Sequence, residues 1–206
     1  VQARTQFLNS GGYAFLKQEL VNLTKKYDSH VLCDLGCGEG YYTSGFQAEE
    51  KYGFDMSKEA LKHASKNDPS TQYAVASIFR LPLEDASCDT AVTCFAPFAK
   101  DEIERVLTQG GRFFFVSPGP KHLFELKQLI YDTPYENEMK DLETTLVKEE
   151  EYFISNTFHC EKENLISLFK MTPYYHRTRN EDIDKINHQD GMDITAEFLI
   201  RVYQKR

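Results

Sequence analysis

The hydrophobic positions change period along the chain. From Arg4 to about Tyr27 they recur at helical spacing, with a break at Ser10-Gly11-Gly12; Phe15, Leu16, Leu20 and Leu23 share one face of the second piece. At His30 the pattern becomes a short apolar run, His30-Val31-Leu32-Cys33-Asp34, ending in an acid and a glycine turn. A parallel strand buried on both faces reads this way. Strand and helix then alternate. A helix is expected from near Gly40 to about Ala48, and a second strand at Tyr52-Gly53-Phe54-Asp55. Ser57 caps a helix through about Lys66, with Lys58-Glu59 in its first turn. Tyr73-Ala74-Val75-Ala76 and Thr90-Ala91-Val92-Thr93-Cys94-Phe95 read as strands, and residues 101–107 as a short helix. Gly110-Gly111 is expected to turn the chain into Phe113-Phe114-Phe115-Val116, and residues 122–130 are helical again. Such alternation implies a doubly wound α/β sheet with right-handed crossovers. Beyond it the pattern is less regular: a surface excursion with some helix over 132–151, a strand over 152–158, a helix over 162–169 and a last strand over 194–203.

Composition narrows the class. The 206 residues are 41% hydrophobic and 13% aromatic, enough for a sizeable core and unlike a disordered chain. No stretch approaches the roughly 20 apolar residues of a membrane helix, and Val1-Gln2-Ala3-Arg4 shows no signal-peptide pattern. The five cysteines, Cys33, Cys37, Cys88, Cys94 and Cys160, form no CxxC pair, so no metal site is expected. Free thiols fit a reducing, cytoplasmic setting. The net charge of −8 argues on its face against a nucleic-acid partner. Residues 131–164, however, hold ten acidic and three basic side chains, a net of −7, so the rest of the chain is close to neutral.

The chemistry concentrates in Asp34-Leu35-Gly36-Cys37-Gly38-Glu39-Gly40, where the first strand ends. Gly36 and Gly38 permit a tight turn and close approach to a ligand. Asp55 ends the second strand 21 positions after Asp34, where an acid binds ribose hydroxyls. The spacing is neither the G-x-G-x-x-G of a dinucleotide site nor a P-loop, which needs a lysine.

The pattern resembles motif I of the class I S-adenosylmethionine-dependent methyltransferases, and Val106-Leu107-Thr108-Gln109-Gly110-Gly111-Arg112 resembles their turn before strand five, with Gln109 in the proline position. A narrower resemblance is to the bacterial 23S rRNA guanine-N1-methyltransferases. It rests on Gln2-Ala3-Arg4-Thr5-Gln6-Phe7-Leu8, Gly12-Tyr13, Cys37 to Thr43, Ala76-Ser77 with Arg80-Leu81-Pro82, and Ala96-Pro97. Pro118-Gly119-Pro120-Lys121-His122-Leu123 with Glu125-Leu126-Lys127, and Met171-Thr172-Pro173 with Arg177 and Arg179, extend it over nearly the whole chain.

This resemblance implies a Rossmann-like, mostly parallel seven-stranded sheet spanning residues 29–206, with an N-terminal helical segment over 1–28. It implies S-adenosylmethionine as cofactor, held by Tyr13, Asp34, Gly36, Gly38, Tyr42, Thr43, Asp55, Ala76, Ser77 and His122. It further implies 23S rRNA as substrate, a homodimer, and zinc only in a module upstream of this chain. Tyr42 and Thr43 are expected at a helix N-terminus, and His122 at the opening of a helix. Phe95, Pro97 and Phe98 lie where methyltransferases meet substrate, with core packing an equal alternative for the two rings; Arg80, Lys121, Arg177 and Arg179 are candidate phosphate contacts. No residue stands out as proton acceptor. Two other classes stay open: a small-molecule methyltransferase, and a non-catalytic protein using the acidic 131–164 segment as a partner surface.

Overall fold

Two N-terminal helices, α1 (Gln2–Asn9) and α2 (Ala14–Lys26), precede the first strand in the computed structural model, which describes residues 2–206. Next come β1 (Val31–Leu35), β2 (Glu50–Asp55), α3 (Lys58–Asn67), β3 (Gln72–Val75), β4 (Cys88–Cys94), α4 (Lys100–Val106), β5 (Leu107–Pro118) and α5 (Phe124–Ile130). The chain ends with β6 (Val147–Glu161), α6 (Lys162–Met171), α7 (Asn180–Asn187) and β7 (Gly191–Gln204). The strands form one seven-stranded sheet in the order β3-β2-β1-β4-β5-β7-β6.

The first five strands pair in parallel. Gly110 N donates to Lys205 O while Gly119 N donates to Glu197 O, so β5 and β7 run in opposite directions. Thr157 meets Thr195 and His159 meets Asp193, which makes β6 antiparallel to β7 as well. The sheet is therefore mixed and, as expected, mostly parallel, with four parallel pairings and two antiparallel ones.

By contacts the described residues fall into two units. The first comprises residues 16–117, 140–153 and 199–206; the second comprises residues 2–15, 118–139 and 154–198. In the first unit Cys33, Leu35, Phe54, Ala91, Ile103, Val106, Phe113 and Tyr203 make a buried cluster. Each fully buried large side chain there contributes about 1.5–3 kcal/mol. In the second unit α1 packs on α6, and α7 packs on α5 and α6.

Local rules explain most boundaries. Ser57 Oγ accepts from Ala60 N at 3.2 Å and caps α3, which buries Ala60, Leu61 and Ala64. Three expectations are corrected. The helix expected over 40–48 is a single 3-10 turn, Thr43–Gly45. The space a helix would fill is taken by α2: a Cβ on Gly45 would lie 2.7 Å from Lys17 Cε and 3.1 Å from Val21 Cγ2. Thr24 Oγ1 of α2 accepts from Gln47 N at 3.1 Å, and Lys51 Nζ donates to Thr43 O at 3.3 Å, so the turn's groups are satisfied without a helix.

The turn expected at Gly110-Gly111 lies within β5. Cys88 pairs with Leu107 but Thr90 with Arg112, so the extra residues of β5 bulge, with Gly110 at φ +80°. The acidic excursion contains no helix: residues 131–146 are irregular and β6 begins at Val147. The carboxylates at the start of β6 are paired. Within the first unit Glu149 bonds Arg112 at 2.9 Å, Glu150 bonds Lys26, and Glu151 bonds buried Arg201 at 2.7 Å.

Candidate active site

Parallel pairing brings the strand ends of the first unit together. Register Leu35↔Phe54 sets Asp34 and Asp55 at neighbouring carboxyl ends, and Asp55↔Val75 adds β3. Between them the glycine loop folds onto the end of β2. Phe54 O accepts from both Gly36 N (2.8 Å) and Cys37 N (3.0 Å), and Asp55 Oδ2 accepts from Gly38 N at 2.9 Å. The other Asp55 oxygen accepts from Ser57 N at 2.8 Å. Gly36 has φ +83°, and a Cβ there would lie 2.8 Å from Ala96 Cβ in the loop after β4. Only glycine permits this crossing.

Asp34 is buried and accepts the Thr43 hydroxyl at 2.6 Å. Thr43 is itself buried, so its side chain braces Asp34. It starts a 3-10 turn, and the helix N-terminus expected at Tyr42-Thr43 is absent. Tyr42 is buried, its ring 6.4 Å from that of Phe95. Ala76 N donates to Asp55 O at 3.2 Å, and Ser77 O accepts from Arg80 N at 3.0 Å, which places both residues at the end of β3. Arg80 is exposed on that turn.

The loop after β4 separates two aromatics. Phe98 stacks on Phe113 at 5.6 Å and packs against the buried cluster, so its ring is occupied by the core. Phe95 is outside the cluster, has φ +65°, and precedes exposed Pro97. A bulky residue in this left-handed conformation stores about 1–3 kcal/mol of strain, a cost that clusters at functional sites.

The second unit holds the other candidates. The Tyr13 hydroxyl lies 3.2 Å from His122 Nε2, and both are buried. Burial pushes the His122 pKa down to about 3; the backbone of Glu197 opposes this and the Lys127 ammonium adds to it. Burial likewise raises the Tyr13 hydroxyl pKa. His122 lies before α5, which starts at Phe124, and so sits in a turn; Leu123 after it has φ +54°. Lys121 is exposed, its backbone N donating to Glu197 Oε1 at 2.9 Å. Arg177 is exposed on the 3-10 turn Tyr175–Arg177, whereas Arg179 is paired with Glu181 (3.0 Å) and Asp182 (2.9 Å).

Two exposed apolar residues not singled out in the sequence lie next to candidate positions of the first unit. Met56 is 69% exposed beside Asp55 and Phe79 is 61% exposed beside Arg80. Met56 directly follows the second-strand acid and Phe79 directly precedes Arg80. Together the set suits a nucleoside-bearing cofactor. The Asp55 oxygens each hold one N–H and keep lone pairs for vicinal hydroxyls, Gly36, Gly38 and Gly40 leave stretches of loop backbone uncovered by side chains, and Met56 offers an apolar face. Among the described residues no group of His, Cys, Asp and Glu could hold a metal.

A family model described as a methyltransferase domain matches residues 33–115, the span holding this loop and its acids. Residues 33–115 thus fall in the class of methyltransferase domains.

Within that class the chain is similar to the 23S rRNA (guanine(748)-N(1))-methyltransferase of Streptomyces fradiae, at 34% identity over 135 residues, covering 61% of this chain and 48% of that one. A Bacillus subtilis (strain 168) protein provisionally named a 23S rRNA (guanine-N1)-methyltransferase is 28% identical over 210 residues, covering 91% of this chain and 71% of its own. The chain thus spans about half the length of the Streptomyces relative. In fold it is similar to the crystal structure of the YcgJ protein from Bacillus subtilis, with TM-score 0.60 at 16% identity, covering 92% of this chain and 98% of that one.

Proposed function

We propose that this chain transfers a methyl group from S-adenosylmethionine to N1 of a guanine in a hairpin of 23S rRNA. The observation that carries the reading is the Asp55–Gly38 lock at the strand ends, in a sequence similar to proteins named for that reaction. Asp34, Gly36, Gly38, Tyr42, Thr43, Asp55, Ala76 and Ser77 are proposed to hold the cofactor, and Tyr13 and His122 are given cofactor roles by family resemblance. Asp55 binds the ribose hydroxyls, Met56 and Ala76-Ser77 flank the adenine, and Thr43 keeps Asp34 in place.

S-adenosylmethionine supplies an electrophilic methyl group on a sulfonium and leaves as a neutral thioether. The chain's work is then alignment and exclusion of water. Guanine N1 carries a proton that must depart before or during attack. Phe95 and Pro97 are proposed to receive the unstacked base, with Phe98 supporting them from the core. Arg80, Lys121 and Arg177 are proposed to meet phosphates, Arg179 joining them only by giving up its carboxylate partners. Glu149, Glu150 and Glu151 are engaged by Arg112, Lys26 and Arg201, which leaves less of the acidic segment free as a partner surface. A homodimer and a cytoplasmic setting belong to the same proposal; no helix among the described residues is long and apolar enough to cross a membrane.

Calorimetry tests the first half: the protein binds S-adenosylmethionine and Asp55→Ala does not. Primer extension tests the second. Ribosomal RNA from cells lacking the protein loses one N1-methylguanine stop, and a stop that persists overturns the rRNA assignment.

A further inference from the structure

Lys127 of α5 is fully buried, and none of its contacts is an ion pair among the described residues. Its ammonium donates to Tyr135 O at 2.9 Å and to Asn137 Oδ1 at 2.8 Å. The Tyr135 and Tyr174 rings stand 4.5 and 5.3 Å from it. Two oxygens and two ring faces compensate the desolvated charge in part. Burial nevertheless pushes the Lys127 pKa down, with Glu136 pulling it back. A methionine would fill the same space among the rings at less cost, so packing alone does not account for a lysine here.

The polar chain leads from Lys127 to the segment carrying His122. Asn137 Nδ2 donates to Gly119 O at 2.8 Å, and Asn137 N donates to Pro120 O at 2.9 Å. A lysine can only donate. It therefore draws the amide oxygen of Asn137 to itself and leaves the NH2 end for Gly119. From the other side Glu197 accepts from Gly119 N at 2.8 Å and from Lys121 N at 2.9 Å. The backbone from Gly119 to Lys121 is thus held from two directions immediately before His122 and the left-handed Leu123.

We infer that Lys127 is a positioning residue for His122: by orienting the Asn137 amide it sets the Gly119–Pro120 backbone, and with it Lys121 and His122. This rests on the proposed role of His122 toward the cofactor. Lys127 touches neither cofactor nor substrate in this scheme.

Three variants of the full chain test it: Lys127→Met, Asn137→Ala and Asn137→Asp. The aspartate gives Lys127 a carboxylate partner but cannot donate to Gly119 O, so it separates support of the lysine from the clamp. Hydrogen exchange without ligand is expected to speed up at residues 119–123 in all three. S-adenosylmethionine affinity by calorimetry should fall about tenfold in each, the scale of one oriented hydrogen bond. Lys127→Met combined with Asn137→Ala should lose no more than either alone, since both act through one amide. Asn137→Asp should match the wild type in thermal midpoint while binding worse, a split that a purely structural role does not produce. Unchanged exchange, or unchanged affinity in the two Asn137 variants, overturns the inference. Failure of the wild type to bind S-adenosylmethionine overturns instead the reading beneath it.

Discussion

Tyr13 and His122, 109 positions apart in sequence, meet through a hydroxyl and an imidazole nitrogen at 3.2 Å. Burial holds the imidazole neutral, with a pKa of about 3 against about 6.5 for a free histidine. Between those values the unfolded chain binds the proton and the folded chain does not. The contribution to stability is therefore intact above about pH 6.5 and falls as the pH drops toward 3. The His122 ring-proton resonance is expected to stay fixed from about pH 8 to pH 5, while exposed His30, whose pKa Glu49 raises, titrates. Movement of the His122 signal in step with His30 would show that the ring is open to solvent.

Gly36 gives a steric prediction with an internal control. Alanine there meets both a left-handed backbone and Ala96 Cβ at 2.8 Å, whereas alanine at Gly110 has a similar φ with nothing within 4 Å. Gly110→Ala should lose about 1–2 kcal/mol, the cost of the backbone conformation. Gly36→Ala should lose about 1–3 kcal/mol more from overpacking and bind S-adenosylmethionine poorly. Combining it with Ala96→Gly should recover the packing part. Urea titrations of the four proteins read these differences, and equal losses at the two glycines would refute the crossing.

Thr43 and Asp34 form a buried pair at 2.6 Å. Thr43→Val keeps the shape and removes the donor, so a cost of about 1–3 kcal/mol is expected. Thr43→Ser should restore most of it. A valine variant as stable as the wild type would mean that the hydroxyl is dispensable to Asp34.

Asp68 supplies an acid-range prediction. Burial pushes its pKa up, but hydrogen bonds from Ser70 and Thr71 and the Lys51 ammonium at 2.9 Å outweigh this and hold it at about 2. The folded pKa lies below the unfolded value of about 3.9. Its stabilisation is therefore full above about pH 3.9 and disappears as the pH falls through 2. Asp68→Asn should lower the thermal midpoint at neutral pH and flatten its decline in that window; parallel curves for variant and wild type would contradict the assignment.

Arg177 and Arg179 should behave differently although they are two positions apart. Arg179 is tied to Glu181 and Asp182, so Arg179→Ala acts mainly on α7 and on stability. Arg177→Ala is expected to weaken RNA binding at every sequence and to reduce the salt slope by about 0.7–0.9. Filter binding across a salt series measures it, and an unchanged slope removes Arg177 from the RNA-facing set.

Legibility in the sequence tracks the range of the forces involved. The Ser57 cap, the Phe113–Val116 run and the Asp34 and Asp55 strand ends are local patterns, and each element lies within a few residues of its expected place. The absent helix over 40–48 was set by α2 packing against Gly45, a tertiary contact with no local mark. Helix α7, Asn180–Asn187, has no counterpart among the elements expected from the pattern. Glu197, which holds Gly119 and Lys121, comes from a strand 76 positions after Lys121, so periodicity around it says nothing of that task. For Phe95 and Phe98 the sequence left core and substrate equally open; packing on Phe113 puts only Phe98 in the core.

The division into units bears on how the molecule is made. The first unit is assembled from residues 16–117, 140–153 and 199–206, and the second from three segments interleaved with them. No single cut releases either one. A chain growing from the ribosome has its glycine loop early, but β7, which lies between β5 and β6, emerges after both. Until it does, β5 has no neighbour on that side, and loss of β7 should leave an open sheet edge prone to association rather than a smaller working enzyme.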